Sequence, residues 1–314
     1  MDINNKLKSE AGLIFLTYLT KYNIKLINQI AFEFDSQTID EFIKETKTNQ
    51  RKDFYEIKNR IPEAIDEAEL CIQKLSYFKV KTESIFSKNY PAKLKAITDA
   101  PPLIYYRGSP LKKRKLVAIV GTRDATKIAE RVIPLLVEIF NRHDYGIVSG
   151  LALGIDSIAH RSAIEQNAYT AAILAGALND IYPKENFKLA NEIINSGGTL
   201  ISELPFGISH GKRSFVMRNR IQAGVSDFVL PVEMGIKSGT MTTVEFAYSQ
   251  GKYIFLIPPK ESYRHIPQYE GVNYFIEKSA SEKYKKTYKI SDLTDLETFL
   301  KEDSFTKQTN MFNE

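Results

Sequence analysis

Small and hydroxylated residues follow the short apolar runs in the second half of the sequence, in positions that could bind anions. These residues are Gly121-Thr122-Arg123, Ser149-Gly150, Gly176 and Ser238-Gly239-Thr240. Each group precedes or opens a predicted helix, and the free N–H groups at a helix N-terminus favour negatively charged ligands. Glycine also lets a ligand approach the backbone closely. If these groups meet at one edge of a sheet, they form a surface that binds phosphate.

The first of these groups lacks the glycine pattern of a nucleotide-cofactor turn. After Gly121 the chain continues Thr122, Arg123, Asp124, which differs from the Gly-x-Gly-x-x-Gly fingerprint, and no Walker-type Gly-Lys-Ser/Thr is present. We therefore predict no cofactor. The guanidinium of Arg123 offers a planar fork of donors that suits phosphate. An ion pair with a neighbouring carboxylate is an equally good interpretation of this arginine.

A second group of candidates lies where a loop leads into a predicted helix. Lys212 and Phe215 are three residues apart and precede Arg218-Asn219-Arg220. A cation beside an aromatic ring suits single-stranded nucleic acid, because the cation contacts phosphate and the ring stacks on a base. Taken alone, Phe215 is interpreted more simply as a core residue at the start of that helix.

Candidates for catalysis or metal binding are few. Asp156 and His160 are four residues apart on one predicted helix, and we expect them to form a hydrogen-bonded structural pair. Three glutamates lie near strand ends or on a following helix: Glu203, Glu233 and Glu245. We expect these to hold Arg218 or Arg220 in place. With four His and one Cys in the chain, and no Ser-His-Asp or Cys-His arrangement, we predict no metal site and no catalytic residue.

The composition is that of an ordinary soluble protein with a slight excess of basic residues. Of 314 residues, 43% are hydrophobic, and the net charge is +5, which permits a nucleic-acid partner without requiring one. The single cysteine, Cys71, cannot form an intramolecular disulfide. The apolar stretch at residues 13–19 is shorter than the ~20 residues that span a bilayer. We expect a cytoplasmic protein outside the membrane.

Alternating strands and helices are predicted to position the candidate residues. The predicted strands are residues 103–107, 116–120, 146–148, 171–174, 199–201, 227–232 and 253–257. Repeated strand–helix units indicate a doubly wound, mostly parallel sheet with helices on both faces, and such sheets bind ligands at the carboxyl ends of their strands. We predict a helical domain at residues 1–85, the sheet domain at 86–275, and a short tail without a winged helix at 276–314.

The motifs, taken together and in this order, resemble those of DNA-processing protein A, the DprA or Smf family. They are residues 117–123, 148–156 with Ala159-His160, 181–183 with Asn186, 201–205, 218–227, and 238–240 onward. The likeness extends over about residues 88–259. Six motifs in the correct order are far more specific than any one of them.

The resemblance implies an extended Rossmann-like fold, dimerisation through it, and sequence-independent binding of single-stranded DNA without enzymatic activity. Members protect incoming strands during natural transformation and load the recombinase RecA. Their Gly-Ser/Thr-Arg loop and Lys-x-x-Phe pair contact DNA; the matching residues are Thr122, Arg123, Lys212 and Phe215. The family usually has arginine where this chain has Leu153, so one basic contact is expected to be missing.

Two alternatives share this type of fold. One is a nucleotide sensor or an enzyme like the Lonely Guy phosphoribohydrolases, whose Gly-Gly-x-Gly-Thr-x-x-Glu loop is similar to Ser238-Gly239-Thr240 with Glu245. That spacing is two residues too long here, and the first glycines are missing. The other alternative is a scaffold of a defence system, which sequence does not separate from a transformation protein.

Overall fold

Nine strands form one sheet in the computed structural model, which describes residue 2 and residues 4–48, 52–111, 114–208 and 211–301. They are β1 (Lys81–Ser84), β2 (Leu103–Gly108), β3 (Lys115–Val120), β4 (Tyr145–Ser149), β5 (Thr170–Ile173), β6 (Thr199–Ser202), β7 (Phe228–Pro231), β8 (Tyr253–Leu256) and β9 (Thr287–Lys289). The order across the sheet is β1-β2-β6-β5-β4-β3-β7-β8-β9. Strand β2 pairs antiparallel with both of its neighbours, β1 and β6; all the other pairs are parallel.

Helices cover both faces of this sheet. Those of the sheet region are α6 (Ala92–Lys95), α7 (Lys127–Arg142), α8 (Ile155–Glu165), α9 (Phe187–Asn195), α10 (Lys212–Val225), α11 (Gly239–Ser249), α12 (Glu270–Lys278) and α13 (Leu293–Lys301). Alternate residues of β3 explain the arrangement. Val117 and Ile119 pack with α7, α8 and α13, whereas Leu116 and Ala118 pack with α10, α11 and α12. Both faces are apolar because both are covered, and the predicted doubly wound, Rossmann-like fold is confirmed.

Two strands were not predicted from the sequence, because both lie at an edge of the sheet. Strands β1 and β9 are short and polar, so neither carries the continuous apolar run that marks a buried strand. Residues 287–289 fall in the segment predicted to be a tail, yet they pair with β8. Beyond them Ile290 and Leu296 are buried in the core under α7. Residues 302–314 of that predicted tail lie outside the described residues.

The N-terminal region is helical, as its apolar spacing predicts. Its helices are α1 (Glu10–Leu19), α2 (Ile24–Glu33), α3 (Ile39–Thr48), α4 (Lys52–Ile57) and α5 (Ile61–Tyr77). Helix α1 is buried from Gly12 to its end, and it contacts both α5 and the first two strands. One apolar cluster contains residues of α1 together with Tyr105 of β2 and Leu200 of β6. The helical region therefore packs directly onto the sheet and shares a core with it.

A buried charge cluster also joins the helical region to the sheet. Arg220, fully buried on α10, donates from Nη1 and Nη2 to the carboxylate of Glu203 at 3.1 and 2.7 Å. The hydroxyl of Tyr22, in the turn between α1 and α2, donates to the same carboxylate at 2.5 Å. Burial, and then the charge of Glu203, raises the pKa of Tyr22 well above its ordinary value. Glu203 thus holds Arg220, as the sequence predicts.

Candidate nucleic-acid interface

The loops after β3 and β4 and the N-terminal parts of α10 and α11 surround a first cavity of about 350 Å³. The predicted residues in its wall are Gly121, Thr122, Arg123, Phe215, Arg218, Asn219, Ser238, Gly239 and Thr240. They come from three separate parts of the sequence. They meet because the carboxyl ends of parallel strands lie at the same edge of a sheet. The structure therefore brings together most of the residues selected from the sequence.

A second cavity of about 300 Å³ adjoins the first. The two have four wall residues in common: Arg123, Ala152, Phe215 and Arg218. The second cavity also contains Gly150 of the predicted set and the segment Tyr182–Glu185. Since the cavities share a wall, they form one continuous depression, which we call the cleft.

The Gly121-Thr122-Arg123 loop is fixed by backbone contacts on both sides. Thr122 donates its N–H to the carbonyl of Glu233 at 2.8 Å and accepts from the N–H of Ile155 at 3.1 Å. A Cβ at Gly121 would overlap the side chain of Ile155. With the backbone held in this way, the side chain of Arg123 is exposed. A rigid loop that presents an exposed guanidinium suits repeated contact with phosphate.

The position of this loop depends on the backbone conformation of Gly154. The substitution Gly154→Ala tests this dependence. Its φ is 74° and its ψ −127°, a conformation essentially limited to glycine. An added Cβ would also overlap the carbonyl oxygens of Thr122 and Arg123. We expect the free energy of unfolding, measured in urea, to fall by at least about 2 kcal/mol.

The control for that variant is Gly239→Ala. A Cβ at Gly239 meets nothing within 4 Å and lies at the start of a helix, so this change is expected to leave stability equal or slightly higher. Equal stabilities for Gly154→Ala and Gly239→Ala would contradict the role assigned to the Gly154 backbone.

Arg218 places a buried positive charge at the floor of the cleft. Only 7% of the side chain is exposed. Nη1 donates to the carbonyls of Gly150, at 2.6 Å, and Ile173, and Nε donates to Asn219 Oδ1 at 3.1 Å. Burial lowers the pKa of Arg218 to about 10, and the nearby Asp156 only partly offsets this effect. The group still carries its charge at neutral pH.

Phe215 lines both cavities instead of belonging to the apolar core. The Arg123 guanidinium lies 5.9 Å from the centre of the Phe215 ring, and the Tyr182 ring lies 5.5 Å away in an edge-to-face arrangement. Lys212 is exposed at the first position of α10, one helical turn before Phe215. The two side chains are therefore on the same side of the helix, although Lys212 does not line either cavity.

Three other predicted residues have mainly structural contacts. The hydroxyl of Ser149, which is fully buried, donates to the carbonyl of Ile119 at 2.7 Å. Gly176 is buried, and its carbonyl accepts from Ser202 Oγ at 2.8 Å. Asn219 donates to the carbonyl of Gly239 at 3.1 Å and so joins α10 to α11. Ser149 and Gly176 lie beneath the cleft, not in its walls.

The cleft also contains residues that sequence reasoning missed. Gln222 is 2% exposed and lines the first cavity, and its Nε2 has no hydrogen-bond partner among the described residues. Ser238, which the sequence analysis did select, has a buried hydroxyl at the start of α11 that likewise has no hydrogen-bond partner among the described residues. Tyr182 and Gln222 both lie in family motifs, but neither was selected as a site residue. Nothing in the local sequence around Gln222 indicates that it faces a cavity.

The predicted roles of several acidic residues are wrong. Asp156 accepts from the backbone N–H groups of Gly150 and Ala152, at 3.0 and 3.3 Å, instead of pairing with a histidine. His160 Nδ1 lies 2.7 Å from Thr170 Oγ1. Glu233 and Glu245 accept their hydrogen bonds from residues other than the two arginines of α10. Glu233 accepts from Thr126 N and Tyr269 Oη, and Glu245 accepts from Lys283 Nζ and Tyr284 Oη.

Glu245 also lies outside the cleft. It lines a separate groove of about 580 Å³ on the outer side of α11. Across the described ranges, no three His, Cys, Asp or Glu side chains come together as a group that could hold a metal ion. No helix in the described part of the chain is long and apolar enough to cross a membrane.

Fold and cleft together define a Rossmann-like α/β protein with a cationic cleft at the carboxyl edge of its sheet. The family model of DNA recombination-mediator protein A matches residues 81–294, and the chain belongs to that family. The resemblance found in the sequence is thereby confirmed. The chain is 38% identical to DNA processing protein DprA of Bacillus subtilis (strain 168) over 181 residues, 57% of this chain and 61% of that protein.

A second relative and two solved structures agree with this assignment. Protein Smf of Escherichia coli (strain K12) is 34% identical over 194 residues, 61% of this chain and 51% of that protein. The match to B. subtilis DprA likewise spans less than two thirds of that relative. The X-ray structure of DprA from Streptococcus pneumoniae has a TM-score of 0.70 and 26% identity, covering 92% of this chain and 93% of that one.

The structure of DprA from Helicobacter pylori, described for its single-stranded DNA binding mode, has a TM-score of 0.62 and 28% identity. It covers 73% of this chain and 98% of that one.

Proposed function

We propose that this chain binds single-stranded DNA along the cleft, without preference for base sequence and without catalysing a reaction. The observation that carries the proposal is that Arg123, Phe215 and Arg218 stand together in the wall shared by both cavities, with the Arg123 guanidinium over the Phe215 ring. Guanidinium groups bind phosphate bidentately, and an aromatic ring stacks on any base because every base has a π-face. Such a surface follows a strand irrespective of its sequence.

The first cavity supplies the phosphate contacts in this proposal. It combines the N-terminus of α11 with two buried donors, Ser238 Oγ and Gln222 Nε2, that lack partners among the described residues. A buried donor without a partner costs free energy that an incoming phosphate oxygen recovers. Arg123 at the rim and Arg218 at the floor add charge on either side. A phosphodiester bound there is contacted by cations and neutral donors together.

The remaining parts of the proposal follow from membership of the family. We propose that Thr122, Gly150, Asn219, Gly239 and Thr240 contribute to this surface mainly through their backbone. From family membership we also propose that the protein protects incoming DNA in the cytoplasm, acts as a homodimer and loads RecA. Glu245 lines a groove outside the cleft and is hydrogen-bonded to Lys283 and Tyr284, which weighs against hydrolysis of a nucleotide bound in the cleft.

The proposed function is tested by measuring affinity for an oligo-dT strand and for duplex DNA across a range of salt concentrations. Each phosphate contact on a single strand contributes a slope of about −0.7 to the logarithm of affinity against that of salt. Contacts from Arg123, Lys212 and Arg218 predict a slope near −2, with weaker binding of duplex. No binding, or equal binding of both DNA forms, would reject the proposed function.

A further inference from the structure

Two residues of the N-terminal helical region contact the segment between β6 and α10, which leads to the proposed DNA contacts. The hydroxyl of Tyr18, near the end of α1, donates to the carbonyl of Phe206. The ring of Phe78, directly after α5, lies 5.4 Å from the ring of Phe206. Tyr18 and Phe206 are each 4% exposed. The contact therefore belongs to the core that the helices share with the sheet.

The hydroxyl of Tyr18 is a firmly held donor. Burial raises the pKa of Tyr18, so the hydroxyl stays protonated at neutral pH. Arg60 holds the end of α1 in place: its Nη2 donates to the carbonyl of Tyr18 at 3.0 Å, and its Nη1 donates to the carbonyl of Leu19. The helix dipole also favours a cation at this end of a helix. Phe206 is thus bonded to a group that is itself fixed.

The start of α10 follows Phe206 after a short stretch of chain. Lys212, the first residue of α10, comes only six positions later. A second contact reaches α10 itself, because the carboxylate of Glu203 accepts from Tyr22 of the helical region and from Arg220 of α10. The helical region therefore holds both the segment that precedes α10 and the helix that carries the cleft residues.

We propose that the N-terminal helical region positions the start of α10 for DNA, and that Tyr18 is a positioning residue for Lys212. Tyr18 lines neither cavity and acts through Phe206. If this hydrogen bond is lost, only a fraction of the molecules present the Lys212 ammonium to phosphate, and the apparent affinity falls by that fraction. The proposal rests on the proposed function, because it concerns a residue assigned there to phosphate contact.

The experiment measures the affinity of Tyr18→Phe for oligo-dT across a range of salt concentrations. The variant loses only the hydroxyl, and circular dichroism checks that it is folded. We expect affinity to fall about 3- to 10-fold and the salt slope to become shallower by up to about 0.7, as for one lost phosphate contact. In the Lys212→Ala background, Tyr18→Phe is expected to cause no further loss, because the group that it positions is already absent.

Tyr169→Phe is the matched control for Tyr18→Phe. Tyr169 directly precedes β5, at the edge where the parallel strands begin and so opposite the cleft, and its hydroxyl lies 2.8 Å from Thr199 Oγ1. The variant loses a comparable hydrogen bond far from α10. It is expected to bind oligo-dT with the affinity and the salt slope of the unmodified protein.

A second pair of variants alters the segment before α10 without changing the helical region. Gly207, next to Phe206, has a φ of 91°, and Gly197, in the turn between α9 and β6, has a φ of 85°; a Cβ at either glycine meets nothing within 4 Å. Alanine therefore strains the two backbones alike. Gly207→Ala is expected to weaken oligo-dT binding, whereas Gly197→Ala is expected to leave it unchanged.

The outcomes separate this proposal from the proposed function. If the unmodified protein fails to bind oligo-dT, the proposed function itself is rejected. If it binds, and Tyr18→Phe binds equally well or loses affinity with an unchanged salt slope, the positioning role is rejected. A loss that adds fully to that of Lys212→Ala, or equal losses in Gly207→Ala and Gly197→Ala, would also reject it, because Tyr18 would then not act through the segment that leads to Lys212.

Discussion

Replacing Arg123 with alanine is expected to weaken binding of an oligo-dT strand by about 10- to 100-fold. Hydrogen bonds to a charged group contribute about 1.5–3 kcal/mol, and each 1.4 kcal/mol is a factor of about 10 in affinity. The side chain is exposed and lies over the Phe215 ring, so its loss also removes the group that packs on the ring proposed to stack on a base. Its exposure means that stability should change little.

Lys212→Ala tests the same surface at its outer end. Lys212 is an exposed point charge at the start of α10, so we expect about a 10-fold loss of affinity and a salt slope shallower by about 0.7. The loss in the double variant with Arg123→Ala is expected to be the sum of the two free energies, because in the proposed complex the side chains contact different phosphates.

Arg142→Ala is the matched control for both changes. It removes one positive charge at the far end of α7, about 24 Å along that helix from the cleft loop. Its ion pairs with Glu138 and Glu297 are on the surface and contribute little. If Arg142→Ala weakens binding as much as Arg123→Ala, the effect is one of net charge, and the assigned surface is wrong.

Replacing Arg220 with methionine is expected to lower the free energy of unfolding by about 3–5 kcal/mol. Arg220 is fully buried and Glu203 is 5% exposed, so the substitution leaves a buried carboxylate without its cation. Asp99 Oδ2, 2.9 Å from Arg220 Nε, is 43% exposed and is therefore still solvated after the change. Urea denaturation followed by circular dichroism measures the loss.

A second substitution distinguishes loss of the charge pair from poor packing. Glu203→Met in the Arg220→Met background removes the unpaired carboxylate, and we expect it to recover much of the lost stability because a buried pair is often replaced by apolar residues without cost. Tyr22→Phe removes a single hydrogen bond to Glu203 and should cost about 1.5–3 kcal/mol. A double variant less stable than Arg220→Met would contradict the assignment of the loss to an uncompensated charge.

Helix α10 connects the cleft with the buried charge cluster around Arg220. Arg218 and Arg220 are two residues apart, so they point to nearly opposite sides of the helix. Arg218 reaches the cleft, whereas Arg220 reaches Glu203 and, through it, Tyr22 of the helical region. A single helix therefore carries both the floor of the cleft and one of the contacts that join the N-terminal helices to the sheet.

Much of the fold follows from the sequence because its signals are local. The continuous apolar run of β3 predicts a strand buried on both faces, and the apolar stripe of α7 predicts a helix against it. The residues Gly121-Thr122-Arg123 come immediately after this run and predict the turn that ends the strand. The edge strands β1 and β9 could not be found in this way, because a strand covered on one side or neither has no strong apolar pattern.

The sequence by itself determined the class of fold, the family and the group of residues at the carboxyl edge of the sheet. Only the tertiary structure decided which of them have room to meet a ligand. Ser149 and Arg218 are both polar residues of the predicted set, yet one is sealed beneath the cleft and the other forms its floor. Their partners lie far apart along the chain, and packing of α10 against β3 and β5 brings them together.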